Sequence, residues 1–329
     1  MSRSGVSRPH LSFFAELTDT ELDQLLTADV LSTLRRRGAR LAVGLLDLSE
    51  RRAATLARAE QAGVAITAWL LLSEADGYWL TLDNAAAARE RWLETHQWIQ
   101  RFGLQIRTVG LDIEVPHHRA VGLVQRPVAT SVELVQQRRS AAHHAQAQAD
   151  YAQLIQEIRQ VGMEVETYQI PLLADERRAG TTILQRASGI VDVQGDREVL
   201  MLYHSAVPKP LAAGLIHAYG RDAQAIAVGI TGGGVRSLQA EFADRELDLA
   251  ALRRELTSAA LYSNQLYVFS LEGCVRRGML EAICSDELGP RAPPQAMALD
   301  HLTAKGTRVA LQTLMKLETA IHAVRRWRR

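Results

Sequence analysis

Two acidic residues two positions apart, Asp112 and Glu114, form the most distinctive chemical feature of the sequence. They end an apolar run at 106–114 that is typical of a β-strand. Side chains two apart on a strand point to the same side, so we expect the two carboxyl groups to be neighbours. Repulsion between neighbouring carboxylates raises the pKa of one of them. The pair therefore predicts a general acid beside an ionised carboxylate, with a helix cap and a structural ion pair as the alternative.

Other polar and aromatic side chains also end or follow apolar, strand-like runs. Glu272 ends the run at 266–272 and is a candidate for a further catalytic carboxylate. Flat rings with a polar edge suit the apolar C–H patches of sugars, although for Tyr78 and Trp79 packing in the core is an equal alternative. The candidates for substrate contacts are Asp47, Trp69, Tyr78, Trp79, Tyr168, Gln169, Tyr203 and His204.

Eight apolar runs rich in Val, Ile, Leu and Tyr alternate with amphipathic helical stretches. Near-continuous hydrophobic runs are typical of parallel strands that are covered on both faces. Eight strand–helix units in 329 residues predict a single (β/α)8 barrel, the TIM-barrel fold, over 1–285. An open, doubly wound sheet is the alternative if the first strand is absent. The candidate strands are 11–16, 41–48, 65–73, 106–114, 164–172, 198–206, 224–231 and 266–272.

The barrel would bring the candidate residues together, because active sites of this fold lie at the carboxyl ends of the strands. No lysine ends a predicted strand, and the chain has only Lys209, Lys305 and Lys316. Schiff-base chemistry needs a desolvated lysine that faces the substrate. The sequence therefore disfavours an aldolase of that type.

The composition excludes several other classes of protein. The net charge of +1 argues against a dedicated nucleic-acid binder, which usually carries a strongly basic face. The longest apolar run, 64–72, is too short to span a bilayer, and residues 1–10 lack the apolar core of a signal peptide. Two cysteines suggest no disulfide framework. We therefore expect a cytoplasmic protein without a transmembrane segment.

Two of the predicted strand ends resemble those of the chitinase-like glycoside hydrolases of family 18. Those enzymes are (β/α)8 barrels whose fourth strand ends in Asp-x-Asp-x-Glu and whose sixth strand carries Met-x-Tyr-Asp. Here the fourth strand ends in Asp112-Ile113-Glu114, and the sixth reads Met201-Leu202-Tyr203-His204. The resemblance implies that Glu114 is the proton donor, Asp112 the carboxylate beside it, and Tyr203 a support for the reacting group.

The resemblance covers these two strand ends only, and three positions depart from the family pattern. Gly110 stands in place of the first Asp of the fourth-strand motif, and His204 in place of the Asp of the sixth. Glu272 ends the eighth strand where the family usually has a tryptophan. The resemblance therefore supports the placement of the carboxylates rather than chitin as the substrate.

A glycine-rich turn after the seventh strand indicates an alternative, phosphorylated ligand. Gly232, Gly233 and Gly234 would let backbone N–H groups approach a phosphate, and Arg236 could supply positive charge. The same three glycines would equally make a flexible turn.

A divalent metal ion is a further alternative, although our main interpretation includes no metal or other cofactor. Glu114, His204 and Glu272 could together hold such an ion, because carboxylates and an imidazole are common ligands. The chain would then be a metal- or phosphate-dependent isomerase, lyase or phosphodiesterase.

The sequence favours a glycoside hydrolase-like enzyme that acts on a carbohydrate or sugar-like ligand, with Glu114 as general acid. A non-catalytic sugar-binding barrel is the remaining alternative.

Residues 286–329 are predicted to form a helical extension that packs on the barrel. This extension ends in the basic segment Arg325-Arg326-Trp327-Arg328-Arg329. This tail could contact an acidic surface, or it could be a solvated helix end that complements the helix dipole.

Overall fold

The computed structural model describes residues 8–116, 119, 138–203, 214–234, 243–285 and 308. Within these residues, eight parallel strands hydrogen-bond in chain order and close into a barrel. The strands are β1 (His10–Ala15), β2 (Arg40–Leu45), β3 (Ile66–Leu70), β4 (Thr108–Asp112), β5 (Glu164–Gln169), β6 (Arg197–Met201), β7 (Ala225–Gly229) and β8 (Gln265–Phe269).

Helices follow the strands and form the outer layer of the barrel. The described α-helices are α1 (Asp19–Leu25), α2 (Ala28–Arg37), α3 (Glu50–Gln61), α4 (Ala85–Phe102), α5 (Ala141–Gln160), α6 (Leu172–Ala179), α7 (Ile183–Ser188), α8 (Leu215–Tyr219), α9 (Leu249–Ala259), α10 (Leu271–Arg276) and α11 (Leu280–Ser285).

The structure confirms the predicted TIM-barrel fold. The alternative of an open sheet is wrong, because β1 pairs with β8 from His10↔Gln265 to Phe14↔Phe269 and so closes the barrel. Most strands are shorter than the apolar runs that predicted them, because the strand ends a few residues before the last residue of the run. For example, β2 ends at Leu45, where the Leu46 N–H turns back to the carbonyl of Gly44 at 3.0 Å.

Short polar side chains begin the helices that lie near the carboxyl ends of the strands. Thr18 and Glu21 form a capping box at the start of α1, directly after β1. Ser270 follows β8, and its hydroxyl accepts the Gly273 N–H at the start of α10. This cap places Glu272 in the first turn of α10, at the barrel mouth.

The interior of the barrel contains aromatic rings and, toward the amino-terminal ends of the strands, a buried layer of ionic side chains. Tyr168 and Tyr267 lie inside the barrel, and both hydroxyls donate to Glu166, at 3.3 and 2.8 Å. Arg197 pairs with the same carboxylate at 2.7 Å. Because Arg197 and Glu166 lie at or near the starts of β6 and β5, this layer fills the amino-terminal end and leaves the other end for a site.

The chain after residue 285 is described only at Arg308. This arginine is buried against the barrel, where it donates to Asp175 at 2.7 Å and lies over the ring of Tyr219 at 4.0 Å. The rest of the predicted extension, and the basic tail with it, lies outside the described residues and stays a prediction. Among the described residues, no helix is long and apolar enough to cross a membrane.

Candidate active site

Asp112 and Glu114 lie at the carboxyl end of β4, as predicted. The backbone stays extended past the strand, because Leu80 donates to the carbonyl of Asp112 at 3.1 Å and accepts from the Glu114 N–H at 3.0 Å. Asp112 is buried and Glu114 is half-buried. The two carboxyl groups therefore sit side by side, with Glu114 the more accessible.

Removal from water dominates the electrostatics of this pair. Burial raises the pKa of Glu114 to about 7. Burial, followed by the charges of Glu114 and Glu16, raises the pKa of Asp112 well above its usual range. Both pKa values are thus raised, whereas the sequence predicted an ionised Asp112. Because Glu114 is the more accessible of the two carboxyl groups and its pKa is raised to about 7, it is the better placed to donate a proton near neutral pH.

Glu16, directly after β1, is a third carboxyl of the mouth that we did not predict as a site residue. Its side chain is buried, and Oε1 accepts the hydroxyl of Tyr78. Burial raises its pKa to about 8; the Tyr78 hydrogen bond opposes the rise, and the charges of Glu272 and Glu114 add to it. The sequence did contain a signal that could have identified Glu16, namely its position at the carboxyl end of an apolar strand, which it shares with Asp112 and Glu114.

Glu272 is the fourth carboxyl of the mouth, on the β8 side. Its Oε1 accepts the Gly234 N–H at 3.2 Å, and its buried Oε2 has no hydrogen-bond partner within the described residues. Burial raises its pKa to about 7, although nearby donors that include Ser270 and Gly234 favour the ionised form. Its predicted position at the mouth agrees with the structure.

A braced loop after β3 supplies Tyr78 and Trp79. Tyr78 has a φ of 67°, and it is the one described residue other than glycine in the left-handed region. Such a conformation is costly for a bulky side chain and is often found at functional sites. Trp79 packs edge-to-face on Tyr78 at 5.6 Å. Both rings are buried, so packing and the hydrogen bond to Glu16 account for them in this structure.

The aromatic wall of the mouth is formed by rings from several strands. Trp69 is buried and packs against Phe14 and Phe269, with ring centroids 5.4 and 6.5 Å away. Tyr203 and Phe269 are partly exposed and lie 5.7 Å apart. Burial, followed by the charges of Asp112, Glu114 and Glu16, raises the pKa of the Tyr203 hydroxyl well above its usual range. Tyr203 and Phe269 are thus the rings best placed to contact a ligand.

Three other predicted contacts, Asp47, Gln169 and Tyr168, are engaged by other groups of the protein. Asp47 is bound by Arg52 at 2.6 Å and accepts the Ser49 N–H, which fixes the start of α3. Gln169 is buried outside the barrel interior, where it donates to the carbonyl of Val193 at 2.7 Å. Strand pleating explains its direction, because alternate residues of β5 face the interior and the helices.

Tyr168 faces the interior but points away from the mouth, toward Glu166. Its ring fills the space beside Gly110, where an added Cβ would lie 2.3 Å from the Tyr168 hydroxyl. This packing explains why the sequence has glycine at the position where the chitinase-like pattern has its first Asp.

The glycine turn after β7 faces carboxylates. An added Cβ would lie 2.8 Å from Glu246 at Gly232, 2.3 Å from Glu272 at Gly233, and 3.1 Å from Glu16 at Gly234. Since the Gly234 N–H already donates to Glu272, these surroundings disfavour a phosphate at the turn.

Two predicted residues, His204 and Arg236, lie outside the described residues. Among the residues that the structure describes, no group of three or more His, Cys, Asp and Glu side chains is arranged to hold a metal ion. A divalent ion at Glu114, His204 and Glu272 therefore stays a prediction.

Known structures share the fold of this chain at low sequence identity, while no family model and no curated protein sequence matches it. The PgaB (BpsB) glycoside hydrolase domain from Bordetella bronchiseptica is 10% identical, with a TM-score of 0.50 over 87% of this chain and 100% of that domain. A GH18 chitinase from Pseudoalteromonas aurantia is 8% identical, with a TM-score of 0.46 over 84% and 98%. A D-allulose 3-epimerase from Methylomonas sp. is 12% identical, with a TM-score of 0.42 over 93% and 98%. The expected resemblance to glycoside hydrolase barrels is confirmed at the level of the fold.

Proposed function

We propose that this protein is a glycoside hydrolase-like enzyme that acts on a carbohydrate or sugar-like ligand, with Glu114 as the general acid. The observation that carries the proposal is the half-buried Glu114 carboxyl at the barrel mouth, whose pKa is raised to about 7. This carboxyl holds a proton near neutral pH and is accessible enough to transfer it. The partly exposed rings of Tyr203 and Phe269 offer apolar faces for a sugar.

In the proposed reaction, Glu114 gives its proton to the glycosidic oxygen as the bond from that oxygen to the sugar carbon breaks. Water supplies the hydroxyl group that the sugar carbon gains, and the carboxyl group of Glu114 is then protonated again. Asp112 is the neighbouring carboxyl group, and the charge of Glu114 adds to the burial that raises the pKa of Asp112. Glu272 is a candidate for the second carboxylate, whereas Asp47 is engaged by Arg52.

Three observations support the proposal over a purely structural interpretation of these groups. Buried carboxyl groups that repel one another cost free energy in the folded state. They lie at the end of the barrel where the active sites of this fold are found. The PgaB glycoside hydrolase domain is an example of the same fold with the proposed class of activity.

The test compares Glu114→Gln with wild type on a panel of chitin, cello-, xylo- and malto-oligosaccharides and the corresponding 4-nitrophenyl glycosides. Loss of the acid should lower kcat on unactivated oligosaccharides by about 10²–10⁴-fold. The loss should be smaller on 4-nitrophenyl glycosides, because their leaving group needs less protonation. Asp112→Asn should have a weaker effect than Glu114→Gln, and wild-type kcat/KM should fall as the pH rises above about 7.

Glu50→Gln is the matched control, because Glu50 is exposed on α3, and its activity should equal that of wild type. Full activity of Glu114→Gln on an oligosaccharide would contradict the proposal. Activity that depends on added divalent metal would favour the isomerase, lyase or phosphodiesterase alternative. Binding without turnover would indicate a non-catalytic sugar-binding barrel.

A further inference from the structure

Glu16 is a buried carboxyl group that the proposed acid step does not use. Its side chain is only 6% exposed and lies near the carboxyl groups of Glu272 and Glu114. A fold gains no stability from burying a carboxyl group among others. The position of Glu16 therefore calls for a functional reason.

The loop after β3 is built to hold Glu16 in place. Asn84 donates from Nδ2 to the carbonyls of Trp79 at 2.9 Å and Asp76 at 3.0 Å, which fixes both sides of Tyr78. Tyr78 keeps its left-handed φ of 67° and donates its hydroxyl to Oε1 of Glu16. Tyr78 therefore has an unfavourable backbone conformation in the loop whose hydrogen bond holds Oε1 of Glu16 in place.

The glycine turn after β7 leaves space for the carboxyl group of Glu16. An added Cβ at Gly234 would lie 3.1 Å from Oε2 of Glu16 and 2.6 Å from the ring of Phe269. An added Cβ at Gly233 would lie 2.3 Å from Oε1 of Glu272. Side chains at these two positions would occupy the space into which both carboxyl groups project.

We propose that Glu16 is a specificity-determining residue that lines the ligand space on the β8–β1 side of the mouth, with Tyr78 as its positioning residue. Glu114 follows β4, which lies half a turn of the barrel from β8, so a ligand between Glu114 and the β8–β1 side would meet carboxyl groups on both sides. Oε2 of Glu16 would accept a hydrogen bond from a sugar hydroxyl, while Oε1 is held by Tyr78. The effect on turnover rests on the proposed function, whereas the place of Glu16 in the mouth does not.

Thiol labelling tests the place of Glu16 without a substrate. Glu16→Cys is made in a chain whose two natural cysteines, Cys274 and Cys284, are replaced by alanine, so that labelling reports only the introduced thiol. The matched control is Ser12→Cys, because Ser12 lies on β1, four residues before Glu16, and is 4% exposed. We expect the reagent 2-(trimethylammonium)ethyl methanethiosulfonate to modify Glu16→Cys and not Ser12→Cys.

The charge of the reagent gives a second readout. At pH 8.5, above the pKa of about 7 of Glu114 and Glu272, these two carboxyl groups are ionised in Glu16→Cys, so the cationic reagent should react about 10-fold or more faster than the anionic 2-sulfonatoethyl reagent. Modification only after unfolding in urea would overturn the proposal, as would equal rates with the two reagents.

Kinetics test the role of Glu16 on any glycoside that wild type cleaves. Glu16→Ala should lower kcat/KM by about 10- to 100-fold, since it removes the group that accepts a hydrogen bond from the ligand. Tyr78→Phe should lower it less and should cause no further loss in a Glu16→Ala background. An unchanged kcat/KM in Glu16→Ala would overturn the proposed specificity role, and an additive loss from Tyr78→Phe would overturn the positioning role.

The two arms separate this proposal from the proposed hydrolysis. If wild type cleaves no glycoside of the panel, the proposed hydrolysis fails. The labelling rates then decide whether Glu16 lines the mouth. If wild type is active and Glu16→Cys is shielded from both reagents, hydrolysis stands and the present proposal fails.

Discussion

Among the residues that the structure describes, four carboxyl groups near the mouth of the barrel have been moved from water into poorly solvated places. Glu16, Asp112, Glu114 and Glu272 all have raised pKa values, for which burial is the largest cause. The protonated form of each group is therefore favoured in the folded protein relative to the unfolded chain. This difference makes the stability of the whole molecule depend on pH.

The sign of this dependence follows from the direction of the shifts. For Glu16, the pKa rises from 4.5 to about 8 on folding, so the folded state binds more protons in this range. Its contribution to stability is complete below about pH 4.5 and is lost as the pH rises through 8. The free energy of unfolding of wild type should therefore fall between pH 5 and pH 8.5.

Glu16→Gln should reduce that fall by about 2–4 kcal/mol, because the amide carries no proton to lose. Urea denaturation at pH 5 and pH 8.5 measures the difference. The exposed variant Glu50→Gln should keep the wild-type dependence. If Glu16→Gln kept it as well, the carboxyl group of Glu16 would not be buried in the folded protein.

At the scale of elements, the contact between β4 and β5 decides what the mouth can contain. Gly110 on β4 pairs with Glu166 on β5, and the Tyr168 ring covers the glycine. An added Cβ would lie 2.3 Å from the Tyr168 hydroxyl and 2.7 Å from two ring carbons. The ring occupies the place where the chitinase-like pattern has a carboxylate.

Gly110→Ala should therefore destabilise the protein by about 1–3 kcal/mol, because the barrel interior is tightly packed around the Tyr168 ring. Thermal and urea denaturation measure this loss. In a Tyr168→Leu background, which removes the ring, the same substitution should cost less. Equal costs in the two backgrounds would show that the ring does not cause the destabilisation.

At the scale of the whole molecule, one arginine ties the chain beyond residue 285 to the barrel. Arg308 is 7% exposed, and its partner Asp175 on α6 is fully buried. The guanidinium group also reaches Asp222 at 2.9 Å. Removal of one member of a buried ion pair leaves the other charge unpaired in a poorly solvated place.

We therefore expect Arg308→Ala to lower the free energy of unfolding by about 3 kcal/mol or more. The matched control is Arg36→Ala, because the Arg36–Glu281 pair lies at the surface. The exposed fractions of the two side chains are 58% and 63%. Its loss should cost at most about 1 kcal/mol. Urea denaturation compares the two variants, and equal losses would argue against the buried anchor.

The amino-acid sequence by itself determined the number of strands, the fold class and the position of the Asp112–Glu114 pair. Those features depend on local periodicity, because an apolar run, a cap and a side-chain spacing of two are all read within a few residues. The position of Glu272 also followed from the chain, since it comes just after the last strand. Eight strand–helix units left little choice of architecture.

Only the tertiary structure decided which groups share the mouth. Local pattern could not show that Arg52 engages Asp47, that Tyr168 points toward Glu166, or that Tyr78 reaches Glu16. Each contact joins residues from different elements, and its direction depends on barrel closure and on the packing of neighbouring side chains. The pKa values depend on burial for the same reason, because desolvation arises from the whole fold rather than from adjacent residues.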